Sequence, residues 1–219
     1  MHESVKKLKY IQEIVKSKEK DFNLKKKPTI IAVSKTFSID KILPIIQEGH
    51  QDFGENKVQE TLEKWSNIKV KEPNIKLHLL GNLQTNKVKS AVKIFDFIHS
   101  LDNKKLAKKI SEEETKQNKK IKIFIQVNIG NEIQKSGISK NDLDDFFLYC
   151  KEINLDIIGL MCIPPFDLNP VPFFNELKDL NDKLNLPHLS MGMSSDYERA
   201  IENFSTYLRI GSEIFGKRN

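Results

Sequence analysis

KIFIQVNI (122–129), the capped stretch SKNDLDDFFLYCKE (139–152) and LDIIGLMCI (155–163) follow one another with almost nothing between them but the loop 130–138. The outer two are short apolar runs rich in Ile, and the middle one is a polar, amphipathic stretch of helix length. Strand, helix, strand is the unit of a parallel sheet, because a crossover of this length returns the chain to the same edge.

Outward from this unit the same alternation continues in both directions. Apolar runs fall at TIIAVS (29–34), KLHLLG (76–81), FDFIHS (95–100), HLSMGM (188–193) and STYLRIG (205–211), with a weaker one at 51–54. That makes about eight strands, each followed by a helix-length stretch, which predicts an α/β fold: a single (β/α)8 TIM barrel over residues 1–219. Residues 3–20 place Val5, Leu8, Ile11 and Val15 at helical spacing among lysines and glutamates, so an extra amphipathic helix precedes the first strand. Ser38 is expected to cap a helix over 39–48 that ends at Gly49, Ser139 one over 140–152, and Ser194 or Ser195 one over 196–203. Pro44 falls inside the first of these, where it removes a backbone hydrogen bond and is expected to kink or shorten it. No Pro/Gly/Ser linker or internal repeat suggests a second domain.

A chain of 219 residues with 38% hydrophobic content can bury one substantial core. The opening MHESVKKLKY has no apolar segment after its lysines, and no later run reaches the length of a membrane span, so a soluble cytoplasmic protein is expected. Cys150 and Cys162 lie without a CxxC or a neighbouring His pair and read as core thiols, not as a zinc site or a disulfide. The formal charge of +6 raises the question of nucleic acid. Of the 36 basic residues, however, only Arg199, Arg209 and Arg218 are arginine, and the scattered lysines lack the bidentate forks that phosphate and base readout prefer. Nucleic-acid and membrane partners are therefore not expected.

Lys35 ends TIIAVSK in phase with Ile31 and Val33, and so points into the barrel if they do. Burial there lowers a lysine pKa and frees the amine to attack a carbonyl, the requirement for a Schiff-base lysine. The alternative is a lysine just past a strand whose head reaches solvent, and the residue taken alone favours that. The other end of the chain shifts the balance. Barrels commonly hold phosphate with the loops after strands seven and eight and a short extra helix. MGMSSD (191–196) and RIGSEIFG (209–216) supply both loops. Gly211 lets the backbone approach an anion, while free amides and the Ser194 and Ser212 hydroxyls donate to it.

With those residues in hand the chain resembles the pyridoxal phosphate homeostasis proteins, which are similar to the barrel domain of alanine racemases without its second domain. The resemblance is carried by AVSKT (32–36), FGENKVQE (53–60), HLLGNLQTNK (78–87), HSLD (99–102), QKSGI (134–138), GLMCIPP (159–165), LSMGMSSD (189–196) and RIGSEIFGKR (209–218). It implies pyridoxal 5'-phosphate (PLP) as cofactor, held as a Schiff base on Lys35, with Asn56 beside the ring and Arg209 facing the pyridine nitrogen. The phosphate then falls to Ser194, Gly211 and Ser212. Ser212 stands where the family usually has Thr and keeps the hydroxyl, and Asn82 occupies a variable position. The resemblance also places Lys135 near the pocket, either as a second amine that receives the aldehyde or as a surface ion-pair partner.

The function so implied is a PLP carrier or buffer, a monomer that supplies apo-enzymes. The alternatives are a PLP-dependent amino-acid racemase and a basic barrel that has lost the cofactor. Racemisation needs an acid/base on each face of the substrate, and Tyr149, Tyr197 and Tyr207 read as helix and strand residues away from the pocket mouth. His78 and His99 are expected as hydrogen-bonded histidines of the barrel wall, with a ligand or base role as the alternative. Glu55 is expected to pair with a lysine, Met161, Met191 and Met193 to fill core space, and Trp65 to pack the second helix of the barrel.

Overall fold

Short β-branched runs flanked by helices bury both their faces, and they do so here by closing on themselves. The computed structural model describes residues 1–216. Among these, β1 (Thr29–Val33), β2 (Asp52–Glu55), β3 (Lys76–Leu79), β4 (Phe97–Leu101), β5 (Lys122–Gln126), β6 (Asp156–Met161), β7 (His188–Met193) and β8 (Tyr207–Ile210) pair in parallel in chain order. β8 returns to β1 with Ile31 opposite Arg209, which closes the barrel. The intervening helices are α2 (Ile39–Gln47), α3 (Val58–Lys71), α4 (Val88–Ile94), α5 (Lys104–Gln117), α6 (Leu143–Glu152), α7 (Val171–Lys183) and α8 (Tyr197–Glu202), with a short α9 (Ser212–Phe215) after β8. The α/β barrel expected from the sequence is the observed fold.

The extra helix α1 (Glu3–Asp21) buries Val5, Leu8, Ile11 and Val15, the stripe read from the sequence, and packs against α2, α8 and α9. Lys18 fixes it to α8 by ion pairs to Glu198, at 3.5 Å, and to Glu202. None of the helices among the described residues is long and apolar enough to cross a membrane. Lys217 and Arg218 of the RIGSEIFGKR motif lie outside the described residues.

Strand alternation sorts the apolar side chains into two cores. Ile30 and Ala32 of β1 face the helices and join a large outer cluster with Phe53, Trp65, Phe146 and Phe174. A smaller inner cluster fills the barrel itself, with Phe97, Phe124, Ile158 and Met161 packed beside Tyr207.

Several local expectations are corrected. α2 continues through Pro44 and ends at Gln47, one residue before the expected end. Asp40, whose carbonyl loses its partner to the proline, is exposed, so water can satisfy it. Ser38 does occupy the N-cap of α2, but its side chain makes no capping bond. Ser139 bonds the Asp142 amide at 3.2 Å in a turn before α6, which starts only at Leu143. Asp196, not Ser194 or Ser195, is the N-cap residue of α8.

Candidate functional site

The turn after β1 decides where Lys35 goes. Ser34 faces outward, where its Oγ donates to Glu55 Oε1 at 2.8 Å and its carbonyl accepts from Lys64 Nζ at 3.0 Å. Thr36 donates its amide to Glu60 Oε1 at 2.7 Å. With both neighbours tied toward α3, alternation leaves Lys35 on the inner face beside Val33. Thr36 takes φ 67°, a left-handed conformation that costs a β-branched residue about 1–3 kcal/mol and persists only where the surroundings enforce it. The enforcing groups are on α3. Burial pushes the Glu60 carboxyl up, but the Thr36 amide and Lys64 together hold it below its ordinary value. Lys64 also bonds Glu55 Oε1 at 3.0 Å, so Glu55 pairs with a lysine as expected. Trp65 Nε1 donates to the same oxygen at 3.0 Å, pinning α3 to the barrel.

Lys35 and Val33 line a cavity of about 400 Å³ together with Asn56, Arg209, Ser194, Gly211 and Ser212. All six candidate residues named from the sequence thus meet at one opening, at the C-terminal ends of the strands where barrels place their chemistry. Asn56 follows β2, and Gly81 lets the next loop approach it. A Cβ at Gly81 would lie 2.3 Å from the Asn56 carbonyl oxygen, closer than any side chain allows.

Arg209 rises from β8 inside the barrel and is 5% exposed. Its Nη1 donates to Ser190 Oγ at 2.7 Å and its Nη2 to the Cys162 carbonyl at 2.8 Å, so two anchors fix the plane of the guanidinium. Burial lowers its pKa from the ordinary value, an effect that the Cys162 and Asp196 side chains oppose. It stays a cation, since arginine keeps its proton in proteins.

The candidate anion cradle lies where the loop after β7 meets the start of α9. Ser194, at the end of β7, accepts the amides of Gly211 at 3.2 Å and Glu213 at 3.4 Å on its Oγ, which ties the β7 loop to the start of α9. The hydroxyl's own proton is the donor it can offer an anion. A Cβ at Gly211 would meet Val33 at 3.4 Å, ordinary contact, so the chain's own packing does not demand glycine there. Gly192, at φ 92°, lets β7 approach α8, where a Cβ would lie 2.6 Å from that of Ala200.

The apolar wall of the cavity, made by Phe37, Leu80, Ile163, Phe166 and Met193, was not anticipated from the motifs. Met193 is thereby corrected from core filler to cavity lining, while Met161 and Met191 are core as expected. Met193 ends β7, but the other four come from loops, where no periodicity marks which side chains turn inward. Lys135 is not among the lining residues. It pairs with Glu132 at 2.5 Å and donates to the Pro164 carbonyl at 3.2 Å. His78 and His99 are buried in hydrogen bonds inside the barrel. Cys150 and Cys162 are free buried thiols whose pKa values burial pushes up to about 12. A second cavity, of about 420 Å³, opens at the other end of the barrel around Lys25, Lys26 and Lys178, and none of the six residues reaches it.

Residues 18–219 match the family described as alanine racemase, N-terminal domain. The pyridoxal phosphate homeostasis protein of Aquifex aeolicus is 41% identical over 199 residues, 86% of either chain. The chain belongs to the pyridoxal phosphate homeostasis protein family. The human member is 38% identical over 213 residues, which cover 88% of this chain and 77% of that one. The structure of PipY from Synechococcus elongatus with PLP bound superposes with a TM-score of 0.81 at 32% identity, over 86% of this chain and 92% of that one. The family resemblance read from the motifs is therefore correct.

Proposed function

We propose that this chain binds PLP in the cavity at the C-terminal ends of the strands, attached covalently through Lys35, and acts as a carrier or buffer of the cofactor. The observation that carries the reading is the meeting of an amine, a fixed guanidinium and a hydroxyl-and-amide cradle on one cavity of about 400 Å³, within the range of small-molecule sites. That donor set fits the group: an amine for an aldehyde, a cation for a ring nitrogen, and Ser194, Gly211 and Ser212 for a phosphate. PLP supplies a reactive aldehyde and, when its ring nitrogen is protonated, an electron sink.

Arg209 bears on the second property. A guanidinium donates without surrendering its proton, so it leaves a facing pyridine nitrogen unprotonated and the ring a weak sink. Chemistry that needs a stabilised carbanion is disfavoured, whereas reversible capture of the aldehyde by Lys35 is not. Among the described residues, the cavity lining also holds no tyrosine to serve the racemase alternative as a second base. Tyr197 is buried on α8, Tyr149 lies on α6 and Tyr207 sits inside the barrel, and none of the three lines the cavity. The same reading makes the protein a cytoplasmic monomer whose recipients are apo-enzymes.

Purified protein mixed with PLP is expected to turn yellow, and borohydride is expected to fix the absorbing group on the peptide that contains Lys35. Full retention of the band in Lys35→Ala would assign the attachment to another lysine. Turnover of a single amino-acid enantiomer, abolished by Lys35→Ala, would replace the carrier reading with the racemase one.

A further inference from the structure

Behind Arg209 the barrel holds an unbroken line of polar atoms. Asp52 Oδ1 lies 3.0 Å from His78 Nε2, and His78 Nδ1 lies 3.0 Å from His99 Nε2. His99 Nδ1 lies 2.8 Å from Ser190 Oγ, which accepts from Arg209 Nη1 at 2.7 Å. His78, His99 and Ser190 are wholly buried. An unmet donor or acceptor there would cost its full desolvation, so the protons must be ordered along the line.

The order is set from the arginine end. A guanidinium only donates, so Ser190 Oγ accepts from it, and because the Asp52 carboxylate at the far end only accepts, the Ser190 proton goes to His99 Nδ1. His99 must then carry its own proton on Nε2 and donate to His78 Nδ1. By the same step His78 donates from Nε2 to the Asp52 carboxylate. Each link has one donor and one acceptor, and the line runs from a cation to an anion. Turning either imidazole to its other tautomer sets donor against donor or acceptor against acceptor.

Packing keeps the rings from rotating out of line. Phe97 stacks on His78 with centroids 4.2 Å apart, Phe124 stacks on His99 at 4.4 Å, and Tyr207 stands 6.0 Å from both. The titratable and charged groups around the line are His50, Asp52, Lys76 and Asp96 near His78, and Arg209 near His99, with Cys162 and Asp196 beyond the guanidinium. Burial holds both imidazoles below their ordinary pKa, His99 well below, where His78 and the Arg209 cation add to the effect. Neutral rings are what the ordered line requires.

We propose that Asp52, His78, His99 and Ser190 are positioning residues for the ring end of the cofactor, locking Arg209 in place and extending the pull of the Asp52 carboxylate across the barrel to its guanidinium. The inference rests on the PLP reading for what Arg209 faces. It adds that the electronic state of the bound ring is set partly at the far end of the barrel.

Two measurements test it. In apo protein, imidazole nitrogen–proton NMR correlations are expected to show both His78 and His99 as Nε2–H tautomers, unchanged from about pH 8 to about pH 6. In PLP-loaded protein, His99→Leu is expected to weaken binding about tenfold, the size of one net hydrogen bond lost behind Ser190, and to shift the absorption band. His99→Gln, whose amide can accept from Ser190 and donate to His78, restores both. Asp52→Asn keeps the shape and one acceptor oxygen but removes the anion, and is expected to move the band and the His78 signal. It decides the matter if His99→Leu does not fold.

An Nδ1–H signal from either ring in the wild type overturns the proposal, as does a folded His99→Leu protein with unchanged affinity and band. Wild-type protein that takes up no PLP sinks the cofactor reading instead, and the tautomers then report on the line by themselves.

Discussion

Glu55 anchors the turn that presents Lys35, so Glu55→Ala perturbs the scaffold of the site without touching its contents. Its fully buried Oε1 accepts from Ser34 Oγ at 2.8 Å, Lys64 Nζ at 3.0 Å and Trp65 Nε1 at 3.0 Å. Alanine leaves the indole N–H and the Ser34 hydroxyl without that acceptor, and Lys64 with Glu60 and the Ser34 carbonyl alone. An orphaned buried donor costs about 1–3 kcal/mol, and removing one partner of a buried ion pair about 3–5 kcal/mol. Because Lys64 keeps Glu60, the second figure is reduced, and a total of about 4 kcal/mol is expected. At about 2–4 °C per kcal/mol for a chain of this length, the melting temperature should fall by roughly 8–16 °C. Glu55→Gln keeps one acceptor oxygen and should lose only about 1–2 kcal/mol. The milder variant also tests the link to function: with the turn loosened, the rate at which Lys35 captures PLP in a borohydride-trapping assay should drop although the protein remains folded. A Glu55→Ala melting temperature within about 2 °C of wild type would refute the reasoning.

Other substitutions probe separate parts of the same frame. Gly81→Ala drives a methyl into the Asn56 carbonyl and should cost about 1–3 kcal/mol in denaturant unfolding, with weaker PLP binding as Asn56 is displaced. Arg209→Lys cannot reach both Ser190 Oγ and the Cys162 carbonyl as a planar fork does, so it should lose about 1–3 kcal/mol and change the absorption band of the loaded protein. His78 and His99 have pKa values below the ordinary 6.5, so the unfolded chain binds protons first as the pH falls. Stability from this source is complete above that value and is lost as pH falls below it, by up to ~1.4 kcal/mol per unit for each histidine, and His99→Gln should flatten the slope of melting temperature against pH. Phe166→Ala removes a side chain that is 90% exposed at the cavity rim and should leave stability within about 0.5 kcal/mol of wild type in urea titration.

The barrel was legible because its signal is periodic and repeated. Each run such as TIIAVS or HLSMGM is too short for a helix and too apolar for a loop, and even the weak run at 51–54 becomes a strand of four residues. Where the reading failed, one residue type had several uses. Ser139 and Ser194 carry the hydroxyl that caps helices, yet Ser139 closes a turn and Ser194 bridges to Gly211, a choice made by contacts across 17 positions in the second case. Of the six candidate residues that line the cavity, Lys35, Ser194, Gly211 and Ser212 were expected because strand ends and phosphate loops have fixed places in a barrel, whereas Asn56 and Arg209 came from the family resemblance. The line from Asp52 to Arg209 was not expected. His99 and Ser190 are 91 positions apart, and only closure of β8 onto β1 brings the interior side chains into register.

That interior also explains how a buried cation is tolerated. Barrel interiors are ordinarily filled by branched aliphatic side chains, which offer a guanidinium nothing. Here the layers hold flat rings: Phe97 stacks face to face on His78 and Phe124 on His99, Tyr207 stands tilted or edge-on to them, and the histidines keep their polar edges in the plane. The faces supply the apolar packing and the edges carry the hydrogen bonds, so one stack satisfies both demands. Most apolar burial meanwhile lies in the outer cluster between strands and helices, which leaves the inner layers free to depart from the aliphatic pattern. Replacing a histidine edge with an aliphatic side chain therefore removes polar support from Arg209 while leaving the outer core intact. On this argument His99→Leu should disturb the cavity more than the fold.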